Sequence, residues 1–167
     1  DLGGTQLRAA LADETGQIYD EVRVRTDIAG GPPAVIEQIV ACVDQVRAAL
    51  PDGGELLGIG VGSPGPLDPF EGVVLNPPNI PGWDHVPLRA ILTERTGLPV
   101  ELGNDANAAA LGEWMFGGGQ GRRNMVYVTV STGIGGGKIS ISPELWPSRS
   151  NTRDSALWLP SKHELPR

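Results

Sequence analysis

Glycine and proline cut this chain into short stretches, and the hydrophobic period changes from one stretch to the next. With 24 glycines and 15 prolines in 167 residues, no element can run long, and the alternation of periods points to a mixed α/β domain with helices packed on a sheet. Leu7, Ala9 and Leu11 alternate with Arg8, Ala10 and Ala12, the period of a half-buried strand. Asp13-Glu14-Thr15-Gly16 makes a turn, and Ile18, Val22 and Val24 continue as a second strand, so the pair reads as a hairpin. After Gly30-Gly31-Pro32-Pro33 the spacing becomes helical: Ile36, Ile39, Val40, Val43, Val46 and Leu50, ended by Pro51-Asp52-Gly53-Gly54. Leu56 to Val61 is a short buried strand, residues 63–84 an ordered loop region, Pro87 to Thr96 a short helix and Leu98 to Leu102 a strand. Ala106 to Phe116 is an Ala-rich helix stopped by Gly117-Gly118-Gly119, and Met125 to Val130 is a β-branched strand.

Charge and cysteine usage narrow the function. The net charge is −7 and the only adjacent basic pair, Arg122-Arg123, falls in a Gly-rich turn, so this segment lacks the basic face of a nucleic-acid binder. Cys42 is alone, which rules out an internal disulfide, and its place in the helical pattern makes it a small buried hydrophobe. No Cys/His cluster suggests zinc, and His85 and His163 read as separate surface residues. No apolar run could span a bilayer and no signal peptide is visible, so the expectation is a cytoplasmic setting without a membrane partner. The chain opens on Asp, inside what reads as a motif, so an incomplete N-terminus is expected. From Lys138 the texture changes: Pro143, Pro147, Pro160 and Pro166 interrupt a stretch with no persistent period. Residues 138–167 are expected to be an irregular, non-native tail, for example from a shifted reading frame.

Two glycine segments, each beside a strand, carry the first chemical signal. In Asp1-Leu2-Gly3-Gly4-Thr5 the glycines let the backbone approach an anion closely, Thr5 adds a hydroxyl, and Asp1 is a carboxylate placed to hold Mg²⁺. Ser131-Thr132-Gly133-Ile134-Gly135-Gly136-Gly137 repeats the pattern after the last strand. Together they predict one phosphate pocket. Gly60-Val61-Gly62-Ser63-Pro64-Gly65 fits the dinucleotide fingerprint, but that fingerprint must open a helix, and Pro64, Pro66 and Pro69 prevent one. It reads instead as a rigid ligand-facing loop.

Gly103-Asn104-Asp105-Ala106-Asn107 lies between a strand and a helix, at the strand end where α/β sheets bind ligands. Asp105 is placed to accept a proton from a hydroxyl that attacks phosphorus. Asn104 can bond neighbouring hydroxyls. Either residue can cap the helix while the other faces the pocket. In Pro77-Pro78-Asn79-Ile80-Pro81-Gly82-Trp83, Asn79 is a candidate reader of a sugar hydroxyl and Trp83 a loop anchor. Glu113 reads as part of a solvated helix face.

In this order, DLGGT at 1–5, GVGSPGPLD at 60–68, LNPPNIPGW at 75–83, GNDANAAALGE at 103–113 and VSTGIGGG at 130–137 resemble the ROK family of repressors and sugar kinases, its glucokinases in particular. The resemblance implies an actin-like ATPase (ribonuclease H-like) α/β fold, with a mixed sheet, flanking helices and an incomplete second lobe. Residues 1–122 would form the sugar-binding and catalytic lobe, 123–137 the start of the nucleotide-binding lobe, and 138–167 the tail. It implies a hexose and ATP as substrates with Mg²⁺, and glucose 6-phosphate as product. Asp105 would be the general base. Gly65, Asn79, Asn104 and Asp105 would hold the sugar, and Gly4, Thr5, Thr132, Gly133, Gly135 and Gly136 the phosphates, with Asp1 near the metal. A sugar-responsive regulator and an N-acetylhexosamine or fructose kinase are the alternatives within the family, and the parent protein is expected to be a homo-oligomer. The family's Glu-Ile-Gly-His-like sugar segment, its Cys-rich zinc motif and the strand before DLGGT have no counterpart here, so this polypeptide alone is expected to have little or no kinase activity.

Overall fold

The computed structural model describes residues 1–130 and 134–140. Among them lie eight strands and three helices, in the order β1 (Gln6–Ala12), β2 (Ile18–Arg25), α1 (Gly31–Arg47), β3 (Ile59–Ser63), β4 (Leu67–Asp68), β5 (Val73–Val74), α2 (Leu88–Thr96), β6 (Val100–Asn104), α3 (Asp105–Met115), β7 (Asn124–Val130) and β8 (Ile134–Ser140). The mixed α/β reading therefore holds.

The β1–β2 hairpin is antiparallel and its turn is organised by Asp13. One oxygen of that carboxylate accepts from the backbone N–H groups of Thr15 (2.9 Å) and Gln17 (3.1 Å) and from the Thr15 hydroxyl (2.6 Å). Its other oxygen accepts from Tyr19 Oη at 2.9 Å. Led by the Thr15 hydroxyl, these donors hold the Asp13 carboxyl at about 2, against an ordinary 3.8.

Pro32 and Pro33 open α1, where a missing N–H costs nothing. The face bearing Val35, Ile36, Ile39, Cys42 and Val46 is buried and packs against β1. Gly97, at φ 70°, ends α2 in the left-handed conformation, and its N–H donates to the Thr93 carbonyl.

β3 and β6 are parallel neighbours, with Ile59 opposite Val100 and Ser63 opposite Asn104. This pairing decides where the strand falls. The expected strand from Leu56 is displaced to Ile59–Ser63, because β6 offers a partner only from Val100 onward. The loop at 63–84 is more structured than its prolines suggested: β4 and β5 form a small antiparallel ladder and Val74 bridges Val86. Trp83 (1% exposed), Ile80 and Pro77 are buried beneath it, so Trp83 is the loop anchor expected and is not available to a ligand. Arg89 of α2 fastens this region. Its guanidinium donates to the carbonyls of Phe70 (2.8 Å) and Pro69 and pairs with Glu101 of β6 at 3.3 Å.

After α3 the chain returns as the antiparallel β7–β8 hairpin. Here the sequence reading is corrected: residues 134–137 were expected in an open glycine loop, yet they belong to β8, which runs on through Lys138 to Ser140. The alternating strand face explains the glycines, for a Cβ on Gly135 would lie 3.3 Å from Ala106 Cβ and one on Gly137 would collide with Ala110. The glycines let a strand lie directly on α3. The rest of the expected tail, His163 included, lies outside the described residues.

Candidate functional site

Asn104 ends β6 in extended conformation and Asp105 begins α3. The ambiguity over which residue caps the helix is resolved in favour of sharing. Asn104 Oδ1 accepts the N–H groups of Ala106 (3.1 Å) and Asn107 (3.2 Å), while Asp105 Oδ1 also accepts Ala106 N–H at 2.8 Å. This leaves the Asn104 amide nitrogen as a donor, beside Gly65: a Cβ on Gly65 would lie 3.6 Å from Asn104 Nδ2. Asp105 keeps its second oxygen without a hydrogen bond among the described residues, and the side chain is exposed. One carboxylate oxygen at this strand end is thus left as a free acceptor among the described residues.

Gly62 is the junction that brings the N-terminal motif to this carboxylate. Its carbonyl accepts the Leu2 N–H at 2.7 Å, and its backbone is a direct neighbour of Asp105, whose Cα a Cβ there would meet in ordinary contact at 3.5 Å. The glycine turn itself is fastened by a residue that sequence reasoning missed. Thr26, buried at the end of β2, donates its hydroxyl to the Gly3 carbonyl (2.7 Å) and its N–H to the Thr5 carbonyl (3.1 Å). A threonine after a strand gives no period or motif that would have flagged it.

The same turn touches the Asn79 loop: a Cβ on Gly4 would collide with the Asn79 carbonyl oxygen. Thus Gly4 meets Asn79 on one side, while Gly65, Asn104 and Asp105 gather at the ends of β3 and β6; Asp1 is bonded to Arg8 and lines a larger cavity. Gly135 lies across the first turn of α3, with its neighbour Gly136 paired to Val128. Thr132 and Gly133 lie outside the described residues. Glu113, expected on a solvated face, is exposed and caps the following turn by accepting Gly118 N–H at 3.1 Å.

A cleft of about 520 Å³ borders the turn, lined by Gly4 and Thr5 together with Arg25, Thr26 and Asp27. Backbone amides that cannot be screened by a side chain, a threonine hydroxyl and the Arg25 cation suit a phosphate. Among the described residues no three His, Cys, Asp or Glu side chains group together; the carboxylate lining this cleft is Asp27, while Asp1 lines the larger cavity. This larger cavity, among the described residues, lies elsewhere between β1 and β3, and neither Asn104 nor Asp105 lines it. No helix among the described residues is long and apolar enough to cross a membrane.

Comparison with known proteins accords with this arrangement. Residues 1–144 match the profile of the ROK family. Over 140 residues the chain is 43% identical to a glucokinase of Thermotoga maritima, covering 84% of this chain and 43% of that protein. It is 36% identical over 147 residues to a xylose repressor of Caldicellulosiruptor, assigned there only provisionally, covering 87% of this chain and 36% of the other. Among solved structures, a ROK glucokinase of Streptomyces griseus in complex with glucose and AMPPNP superposes with a TM-score of 0.74 at 38% identity, over 83% of this chain and 42% of that one. The chain thus spans less than half the length of these relatives, and the fold of its described part is theirs.

Proposed function

The chain belongs to the ROK family, and on that premise we propose that it supplies the hexose-binding and catalytic half of an ATP-dependent sugar kinase that converts glucose to glucose 6-phosphate. The observation that carries this reading is the half-bonded Asp105 carboxylate at the end of β6, joined through Gly62 to the glycine turn at 3–5. Relatives named as glucokinases, including one solved with glucose and an ATP analogue, support it.

Asp105 accepts the proton of the attacking sugar hydroxyl through its uncommitted oxygen. The Asn104 amide, Asn79 and the Gly65 backbone hold neighbouring hydroxyls and fix the attack geometry, where most of the catalysis of phosphoryl transfer resides. Gly4 and Thr5, which line the cleft beside the glycine turn, would face the phosphates, with Thr132 and Gly133 of the second segment opposite them; Gly135 and Gly136 would serve only through the backbone of β8, and Asp1 would have to turn from the larger cavity to reach a metal there. When bound, Mg-ATP supplies the terminal phosphoryl group and neutralises the charge that develops on it. The likeness to a xylose repressor favours a second reading, a sugar-responsive regulator, but the Asp105 site has its use in catalysis. The cytoplasmic setting and the homo-oligomeric parent belong to the same proposal.

The test is a glucose titration followed by amide NMR, with a coupled assay alongside. Glucose should shift the amides of Gly65, Asn104 and Asp105, and unmoved amides at saturating glucose would overturn the sugar site. In the assay with ATP and Mg²⁺, turnover that Asp105→Asn abolishes would uphold the kinase reading, and turnover that survives it would remove Asp105 as the base.

A further inference from the structure

The exposed face of the β1–β2 hairpin carries three arginines, Arg8, Arg23 and Arg25, in strands that alternate exposed residues with buried or half-buried ones. Two of them are occupied. Arg8 donates to Gln6 Oε1 at 3.3 Å, and Arg23 pairs with Glu21 at 2.6 Å. Arg25 differs. Its cross-strand neighbour is the neutral Gln6, and its guanidinium has no ion pair or hydrogen bond among the described residues. Asp27, two residues on, is turned elsewhere: its Oδ1 accepts the Gly30 N–H at 3.1 Å.

The backbone around that free cation is fixed from both sides. Gln38 of α1 stands beside it like one more residue of a strand: its side-chain amide donates to the Arg25 carbonyl at 3.0 Å and accepts the Asp27 N–H at 2.8 Å. Between these two bonds Thr26, buried, donates to the carbonyls of Gly3 (2.7 Å) and Thr5 (3.1 Å). Thr26 thereby decides what the glycine turn can offer. The two carbonyls whose negative ends would oppose an anion already have donors, whereas the N–H groups of Gly4 and Thr5 donate to nothing among the described residues. Gly4, Thr5 and Arg25 line one cleft. Of the two charged side chains that line it, Asp27 opposes an anion, so the attraction comes from Arg25.

We propose that Arg25 is a phosphate-binding residue of the donor site, its guanidinium gripping the phosphate chain that the N–H groups of Gly4 and Thr5 hold from the turn. This role rests on the kinase reading of the glycine turn and adds to it a side chain that belongs to neither glycine segment. The planar fork of arginine gives two parallel hydrogen bonds to one phosphate, which lysine cannot. Gln38 and Thr26 already pin the backbone at 25–27, so binding has only the Arg25 side chain left to order. Neither Arg8 nor Arg23 can take its place, since neither lines the cleft and each would have to abandon its present partner.

Tripolyphosphate, a phosphate chain without sugar or base, is titrated into the full chain and followed at the amides of Gly4 and Thr5, with Mg-ATP and glucose titrated separately. Both phosphate compounds should shift Gly4 and Thr5 saturably. Arg25→Gln should weaken both by about tenfold, and Arg25→Lys should regain only part of that loss. Arg23→Gln removes the same charge two residues away and should stay within about twofold of the unchanged chain. Glucose, read at the amides of Gly65 and Asn104, should bind Arg25→Gln as it binds the unchanged chain. Undiminished phosphate affinity in Arg25→Gln would overturn the proposal and leave the phosphate turn standing. So would an equal loss in Arg23→Gln, the mark of diffuse charge, or an equal loss of glucose binding, the mark of a disturbed fold. Gly4 and Thr5 amides that neither phosphate compound moves would overturn the phosphate role of the turn and Arg25 with it. A glucose titration that fails alone would remove the sugar site and leave Arg25 in place.

Discussion

The β1-to-β6 body and the β7–β8 hairpin both rest strands on a helix, yet they differ in burial. In the body, α1 covers β1, while Trp83, Ile80, Leu88 and Leu92 are almost wholly enclosed. In the hairpin, Met125, Tyr127 and Thr129 are half-buried on the α3 side, but Val126, Val128 and Val130 are 73%, 62% and 75% exposed. A strand apolar on both faces is the pattern of one covered on both faces. The hairpin therefore holds its place through one face and its glycines, and its other face contributes nothing to the stability of the described molecule.

The sharpest way to break this comparison is Trp83→Ala, which empties an enclosed site in the body. It should cost about 3–5 kcal/mol of unfolding free energy in denaturant melts monitored by circular dichroism, and a loss below ~1 kcal/mol would mean the body is no better packed than the hairpin. Gly137→Val drives a side chain into Ala110 and should cost about 1–3 kcal/mol. Hydrogen exchange should place that loss in β7, β8 and α3, leaving β1 and β2 protected. Asn104→Ala removes the cap shared by Ala106 and Asn107 and should cost about 1 kcal/mol, again read as faster exchange in α3. Val128→Thr, on the uncovered face, should change stability by no more than about 0.5 kcal/mol. A larger loss would mean that something covers that face in solution.

The smallest effect is pH-dependent and confined to the β1–β2 turn. The Asp13 carboxyl is depressed in the folded chain, so its contribution is full above the ordinary value of 3.8 and is lost as pH falls through about 2. Asp13→Asn should flatten the pH dependence of turn protection within that window, and an unchanged profile would remove Asp13 as its source.

These contrasts also explain what the sequence could convey. The hairpin, α1, α2 and α3 were legible because their periods are local, and Asn104-Asp105 because a polar pair between a strand and a helix has few uses. The fate of residues 134–137 was not, since three glycines look the same in an open loop and in a strand pressed on a helix. Only the partner, Ala106 and Ala110 across a gap too narrow for a Cβ, tells them apart. Thr26 stayed invisible for a related reason: its two bonds reach back to Gly3 and Thr5, more than twenty residues earlier. The displaced start of β3 likewise depends on where β6 begins, a fact no local window holds.

Arg89 has a mechanical consequence. One planar cation on α2 grips the carbonyls of Pro69 and Phe70 and reaches Glu101, three residues before Asn104. Helix, loop and strand are thereby coupled like links on a common pin, and a displacement of any one is delivered to the other two. Shortening that pin with Arg89→Lys would uncouple the segment around Gly65 from the strand that presents Asn104, while every residue of the site itself stayed in the chain.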